Sequence, residues 1–200
     1  MRVFVAIPLP EDVRASLAAL QQELARSRAD VKWVEPANLH LTLKFLDDIT
    51  EAQHQAAAAL LRDAASCEAP FRMSLREVGA FPSGHVPRVV WVGVEEGREA
   101  VGRLADAIEQ GSRRLGLRKD EHRFSAHVTL GRVRSSTHRQ VLADAMVGAA
   151  WRPPEAWRIS AIRLYQSELS AAGSRYRVLD ERALGASSAP SPAPPARPGP

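Results

Sequence analysis

The sequence predicts an α+β fold built from two similar halves, and three observations carry that prediction. Strand-like and helix-like stretches alternate along the chain, a His-x-Thr phrase occurs twice, and helix-start signals recur behind each copy. The phrase stands in HLTLKFL at 40–46 and again in HVTLGRV at 127–133.

The elements follow in order from hydrophobic period and turn chemistry. RVFVAI at 2–7 is a β-rich run closed by Pro8 and Pro10, and Val13, Leu17, Leu20 and Leu24 then recur at helical spacing. VKWV at 31–34 is a short strand before Pro36, and HLTLKFL follows with Leu41, Leu43 and Phe45 alternating against His40, Thr42 and Lys44. Thr50 and Gln53 form a T-x-x-Q capping box that opens an alanine-rich helix to about Ser66. Two strands are expected over 71–81 and 88–94, joined by PSGHVP.

After Gly97, Val101, Leu104, Ile108 and Leu115 mark another helix, and the HVTLGRV strand comes next. Thr137 and Gln140 repeat the T-x-x-Q signal before a helix with Val141, Leu142 and Met146 on one face. Strands over 157–169 and 175–184 complete a domain spanning 1–184. The remaining residues, 185–200, read GASSAPSPAPPARPGP, which has almost nothing to bury and is expected to be a disordered tail.

A constant offset links the halves. His127 lies 87 residues after His40, Thr129 after Thr42, Thr137 after Thr50 and Gln140 after Gln53. The same offset lays Trp91-Val92-Gly93-Val94 on Phe4-Val5-Ala6-Ile7 and Leu104 on Leu17. An internal duplication explains this register, with strand, helix, His-x-Thr strand and capped helix in each half.

Composition narrows the functional classes. With 200 residues and 45% apolar content, the chain can bury one well-packed core. Lys and Arg exceed Asp and Glu by 27 to 23, a balance that tolerates an anionic partner without demanding one. Cys67 is the single cysteine, so no intrachain disulfide or cysteine zinc cluster can form. The first residues lack the apolar run of a signal peptide, and no 18 apolar residues run together, so a soluble cytoplasmic protein without membrane association is expected.

The chemistry rests on the paired motifs. Residues i and i+2 of a strand share a face, so each copy offers one imidazole beside one hydroxyl. Imidazole titrates near ~6.5, so one ring can hold a proton while the other lacks it. An acid and a base on opposite sides of one centre, with hydroxyl donors between, suit displacement at phosphorus or attack on an ester. One motif alone would read as a core histidine with a hydroxyl partner, but two in register point to a site.

Other chemistries find less support. Two histidines without a third ligand make an incomplete zinc set, so neither metal nor cofactor is expected. Cys67 lies in a connection, and no serine sits in a glycine-rich elbow. Lys44 shares the alternating polar face and can reach an anion, although a solvated strand-end lysine fits equally. Arg132 points away from His127 in a regular strand, so a phosphate role for it requires a twist or strand end. The same reservation covers Arg88, Arg123 and Tyr165. Phe45, Phe124 and Tyr165 are base-stacking candidates that also suit a core, with Phe45 assigned to the core. His54, His85, His122 and His138 read as surface residues, with His122 also a site candidate because it precedes the second motif.

Taken together, HLTLKFL and SAHVTLGRV resemble the paired motifs of the two-histidine phosphoesterase superfamily. MRVFVAIPLPEDV, VKWVEPANLHLTLKFL, VGAFPSGHVPRVVWVGV, RFSAHVTLGRV and LYQSELSAAGSRYRVL resemble, in order, the RNA 2′,3′-cyclic phosphodiesterases, also called 2′-5′ RNA ligases. The resemblance implies a bilobal fold of two pseudo-symmetric lobes, each with an antiparallel-rich sheet and helices, and an active-site cleft between them. It also implies metal-independent opening of terminal 2′,3′-cyclic phosphates, on RNA ends or nucleotides, to a 2′-phosphate by a monomer. By position His40 is the proton donor, His127 the proton acceptor, and Thr42 and Thr129 bind phosphate; Lys44, Arg132, Phe124 and Tyr165 are further contact candidates. Asp47 stands where glycine often follows the first motif, and Ala126 where proline often precedes the second histidine.

Two rival functions remain at this point. Joining a cyclic phosphate to a 5′-hydroxyl as a 2′-5′ bond, as between tRNA halves, uses the same reacting atoms with an alcohol in place of water. Water at ~55 M favours hydrolysis unless a second RNA is held in place. A non-catalytic RNA- or nucleotide-binding module is the other rival, but binding alone needs no titrating pair.

Overall fold

The computed structural model describes residues 1–82, 86–117, 123–170 and 173–185. His85, His122 and all of the proposed tail except Gly185 lie outside the described residues. The chain forms β1 (Arg2–Pro8), α1 (Glu11–Ala25), β2 (Val31–Trp33), a 3-10 turn (Pro36–Asn38), β3 (His40–Asp48) and α2 (Glu51–Ser66). It continues with β4 (Phe71–Met73), β5 (Leu75–Phe81), β6 (Val89–Val94), α3 (Arg98–Arg114) and β7 (His127–Val133). α4 (Arg139–Val147), β8 (Trp157–Ile159), β9 (Ala161–Ser170) and β10 (Gly173–Ala183) complete it. The runs 71–81 and 157–169, expected as single strands, each break in two, and the short pieces β4 and β8 pair separately.

The result is a two-lobed α+β fold. Its large antiparallel sheet runs β10-β9-β1-β3-β7-β6-β5, with β2 added beside β7. β3 and β7 meet at its middle, where Leu41 pairs with Val128. Val13, Leu17, Leu20 and Leu24 of α1 are fully buried, as are Val101 and Ile108 of α3. Burying one such side chain stabilises the fold by roughly 1.5–3 kcal/mol, so these stripes hold the helices to the sheet.

Each motif strand carries a bulge at the same place. Against β1, Ala6 pairs with Thr42 and Val5 with Lys44, leaving Leu43 as the extra residue. Against β6, Trp91 pairs with Thr129 and Val90 with Gly131, leaving Leu130 extra. An inserted residue reverses every side chain beyond it. Simple alternation therefore fails after the threonine in both copies, and four expectations change.

Lys44 leaves the face of His40 and Thr42 and is buried, with its ammonium 2.7 Å from Glu109 of α3. Phe45 takes the open face in its place and is 48% exposed, so it is not core. Gly131 turns inward, where an added Cβ would lie 2.7 Å from Val31 and 2.8 Å from the Trp33 ring, and Arg132 turns outward. The pairings also set the offset between β1 and β6 at 85, because Ala6 and Trp91 oppose equivalent threonines, rather than the 87 that holds for β3 and β7.

The helix starts divide. Thr50 and Gln53 make the reciprocal capping box, with the Gln53 amide N–H donating to Thr50 Oγ1 at 3.3 Å and the Thr50 N–H donating to Gln53 Oε1 at 2.9 Å. Thr137 does not cap α4. The cap position falls on His138 in the left-handed region at φ 50°, with its ring 3.0 Å from the Arg28 carbonyl, and Thr137 bonds to Ser135 instead.

Candidate active site

The Leu41–Val128 pair brings both motifs to one place. Carried one residue to either side, the antiparallel register sets His40 opposite Thr129 and Thr42 opposite His127. All four side chains leave the face opposite Leu41 and Val128, which are fully buried. His40 and His127 then stand diagonally across the strand pair, a separation of about 7–8 Å at the backbone. That span seats a tetrahedral phosphate between two imidazoles.

Local backbone fixes how each ring points. His40 donates its Nδ1–H to the Asn38 carbonyl at 2.7 Å, and His127 donates its Nδ1–H to the Ser125 carbonyl at 2.7 Å. With Nδ1 protonated, the Nε2 lone pair of each neutral ring faces outward. Thr42 donates its hydroxyl to His40 Nε2 at 2.9 Å. Asn38 adds a second link, its side-chain amide donating to the Ser174 carbonyl of β10 at 2.7 Å.

Burial pushes both histidines below the usual imidazole range, partly offset by these carbonyl contacts. His127 is lowered further by the Arg132 charge. Both rings therefore rest neutral at pH 7. Aromatic rings cause much of the burial. Phe4 lies 4.8 Å from His40 and Tyr176 stands edge-on at 5.3 Å, while Phe81 stands edge-on to His127 at 5.1 Å.

A cleft of about 410 Å³ opens above this face. Thr42, Lys44, Phe45, Phe81, Phe124, His127, Thr129, Arg132 and Tyr176 are among the residues that line it, Lys44 with its ammonium turned away to Glu109. The structure thus gathers Thr42, His127, Thr129, Arg132 and Phe124 around one opening, with His40 joined to it through its hydrogen bond to Thr42. Tyr165 stacks on Phe4 at 5.2 Å and its ring lies 6.3 Å from that of His40, outside the cleft lining, and Lys44 turns its ammonium to Glu109. Arg88 and Arg123 do not line this cleft.

Tyr176, Phe81 and Asn38 escaped the sequence reading. Tyr176 and Phe81 carry no motif spacing, and they reach the site only because β10 and β5 fold back across the sheet. Asn38 could have been found, since it sits in ANLHLTL at the position that Ser125 holds in the second half, 87 residues on.

Buried polar side chains brace the two bulges crosswise. Gln21 of α1 donates to the carbonyls of Val34 and Leu130, both at 2.8 Å, and so holds the bulged residue of β7. Glu109 of α3 holds Lys44, the residue after the bulge of β3. Each helix thereby supports the motif strand of the other half. Among the described residues, no group of three or more His, Cys, Asp or Glu side chains comes together, and no helix is long and apolar enough to cross a membrane.

Comparison with known proteins agrees with this architecture. The profile of the family described as LigT like Phosphoesterase matches twice in succession, over residues 7–91 and 92–176. The RNA 2′,3′-cyclic phosphodiesterase of Methanothermobacter thermautotrophicus is 35% identical over 176 residues, covering 88% of this chain and 95% of the relative. That of Thermus thermophilus is 35% identical over 191 residues, covering 92% and 90%. A crystal structure of a Thermus thermophilus protein superposes with a TM-score of 0.77 at 32% identity, covering 94% of this chain and all of that one (100%). E. coli LigT complexed with 3′-AMP gives 0.71 at 26% identity, covering 92% and 97%. The chain belongs to the LigT-like phosphoesterase family.

Proposed function

We propose that this protein hydrolyses terminal 2′,3′-cyclic phosphates on RNA or nucleotides to 2′-phosphates, without a metal ion, acting as a monomer. The observation that supports the reading is the Leu41–Val128 register, from which His40 falls opposite Thr129 and Thr42 opposite His127. The names of the relatives, each an RNA 2′,3′-cyclic phosphodiesterase, support the substrate class.

The reaction begins when the cyclic phosphate enters between the strands. Thr42 turns its hydroxyl from His40 Nε2 to a non-bridging oxygen, and Thr129 donates to the other. The freed Nε2 of His40 takes up a proton, which the bound anion favours. His127 Nε2 removes a proton from water as its oxygen attacks phosphorus. The P–O3′ bond breaks in line, and O3′ takes the proton from His40. Charge growing on the non-bridging oxygens is held by the two hydroxyls. The product is a 2′-phosphate with a free 3′-hydroxyl, and proton exchange with solvent restores both rings.

The test is incubation of the purified protein with a 2′,3′-cyclic mononucleotide and with a cyclic-ended oligonucleotide, with and without EDTA. A 2′-phosphate product at the same rate in chelator supports the reading. A 3′-phosphate product, loss of activity in EDTA, or binding without turnover contradicts it.

A further inference from the structure

We infer that Lys32 and Arg132 form a second phosphate subsite, which takes the phosphate linking the cyclic-ended nucleotide to the rest of an RNA chain. This rests on the reading above and narrows its substrate to nucleotides that carry a further phosphate.

The two residues are directly opposed in the β2–β7 pair. Opposed residues of an antiparallel pair project from the same face, with their Cβ atoms about 4.5–5.5 Å apart. That face is the cleft face. Arg132 lines the cleft and its charge is felt by both His127 and Tyr176. Val34, which directly follows β2 and donates its N–H to the Leu130 carbonyl, also lines the cleft. Trp33, between them, points the other way and packs where Gly131 leaves room.

Like charges opposed across a strand pair repel, so the arrangement is unfavourable unless something negative lies between them. Both side chains are exposed, and neither makes a hydrogen bond or ion pair among the described residues. The bulge at Leu130 turns Arg132 outward, and the regular β2–β7 register brings Lys32 beside it. Two cations on one face are a phosphate-binding arrangement, one as a planar fork and the other as a mobile point charge.

Distance selects which phosphate. Thr129 and Arg132 are three residues apart, at most about 10 Å along the strand, and both cationic side chains are long. A phosphate held between Lys32 and Arg132 therefore lies near the one at the threonines without coinciding with it. One nucleotide with a cyclic 3′ end and a 5′-phosphate carries two phosphates in this relation. A cyclic nucleoside with a free 5′-hydroxyl fills only the first position.

The test compares adenosine 2′,3′-cyclic phosphate with its 5′-phosphorylated counterpart on the full chain. The 5′-phosphate is expected to raise kcat/KM about tenfold, with the advantage lost in Lys32→Ala and kept in Lys32→Arg. With a cyclic-ended oligonucleotide, the slope of log kcat/KM against log salt is expected to flatten by about 0.7 in Lys32→Ala, one phosphate contact on a single strand. Equal rates for the two adenosine compounds, or an advantage that survives Lys32→Ala, would overturn the subsite while leaving the hydrolytic reading intact. Failure to open either compound would instead remove the reading on which the subsite rests.

Discussion

Leu41 pairs with Val128, its own counterpart 87 residues later, so a pseudo-twofold axis passes between β3 and β7 at that pair. Everything one residue away from it is the candidate chemistry. The axis exchanges His40 with His127 and Thr42 with Thr129, which gives two equal halves from which an acid and a base must be made unequal. Their surroundings differ: Asn38 ties the His40 side to β10, and Arg132 lies on the His127 side.

The pH profile should show that both rings start neutral. The productive form needs one imidazole protonated and one not, so the optimum of kcat/KM falls midway between the two free-enzyme values. Both are lowered, which places that optimum below pH ~6.5. The kcat optimum should lie higher, because the bound phosphate anion stabilises imidazolium. A kcat/KM still rising at pH 8 would contradict the tautomers and burial described above.

The reversed side chains after the bulges make opposite demands on Lys44 and Arg132. Arg132→Ala should lower kcat/KM by about tenfold to a hundredfold, the loss of a charged hydrogen bond worth roughly 1.5–3 kcal/mol, with unchanged urea midpoint. Lys44→Met should instead leave Glu109 without its cation and cost about 1–3 kcal/mol of stability, a range reduced by the partial exposure of Glu109. Its kcat/KM per folded molecule should stay within about threefold of wild type. A large activity loss in folded Lys44→Met would restore Lys44 as a substrate contact.

Asp47 has a φ of 58°, a conformation that costs little in glycine and much in a β-branched residue. This accounts for the glycine that often follows the first motif in proteins it resembles. Asp47→Val should destabilise by roughly 1–2 kcal/mol in urea denaturation, and Asp47→Gly should be neutral or stabilising by about 0.5 kcal/mol. Equal midpoints for the Gly and Val variants would show that the backbone there relaxes.

Asn38 acts through His40, holding the turn that presents its Nδ1 acceptor. Asn38→Ala should lower kcat by about fivefold to tenfold with KM within twofold, and should change the pH dependence of kcat. Loss of stability alone, with kcat per folded molecule and the pH profile both retained, would make the link merely structural.

The duplication pattern, the motif strands and the four central residues were legible in the sequence because period and offset are local properties. The bulges were not. One extra residue at Leu43 and at Leu130 leaves the hydrophobic pattern looking like plain alternation, and it exchanged Lys44 for Phe45 and Gly131 for Arg132 on the open face. Gly131 beside Arg132 was a faint signal, since a glycine inside a strand often marks a bulge or close packing. Tyr176 was invisible for a different reason. It reaches His40 only through the pairing of β10, β9 and β1, a contact across more than a hundred residues that no spacing encodes.

The acid and base roles are tested most directly by the hydrolysis rate of a 2′,3′-cyclic mononucleotide in His40→Ala and His127→Ala, with folding checked by circular dichroism. Each variant is expected to be folded and slowed by at least ~100-fold, since a positioned proton transfer is typically worth ~10²–10⁴ in rate. A folded variant of either histidine with activity within tenfold of wild type would contradict the paired-histidine mechanism.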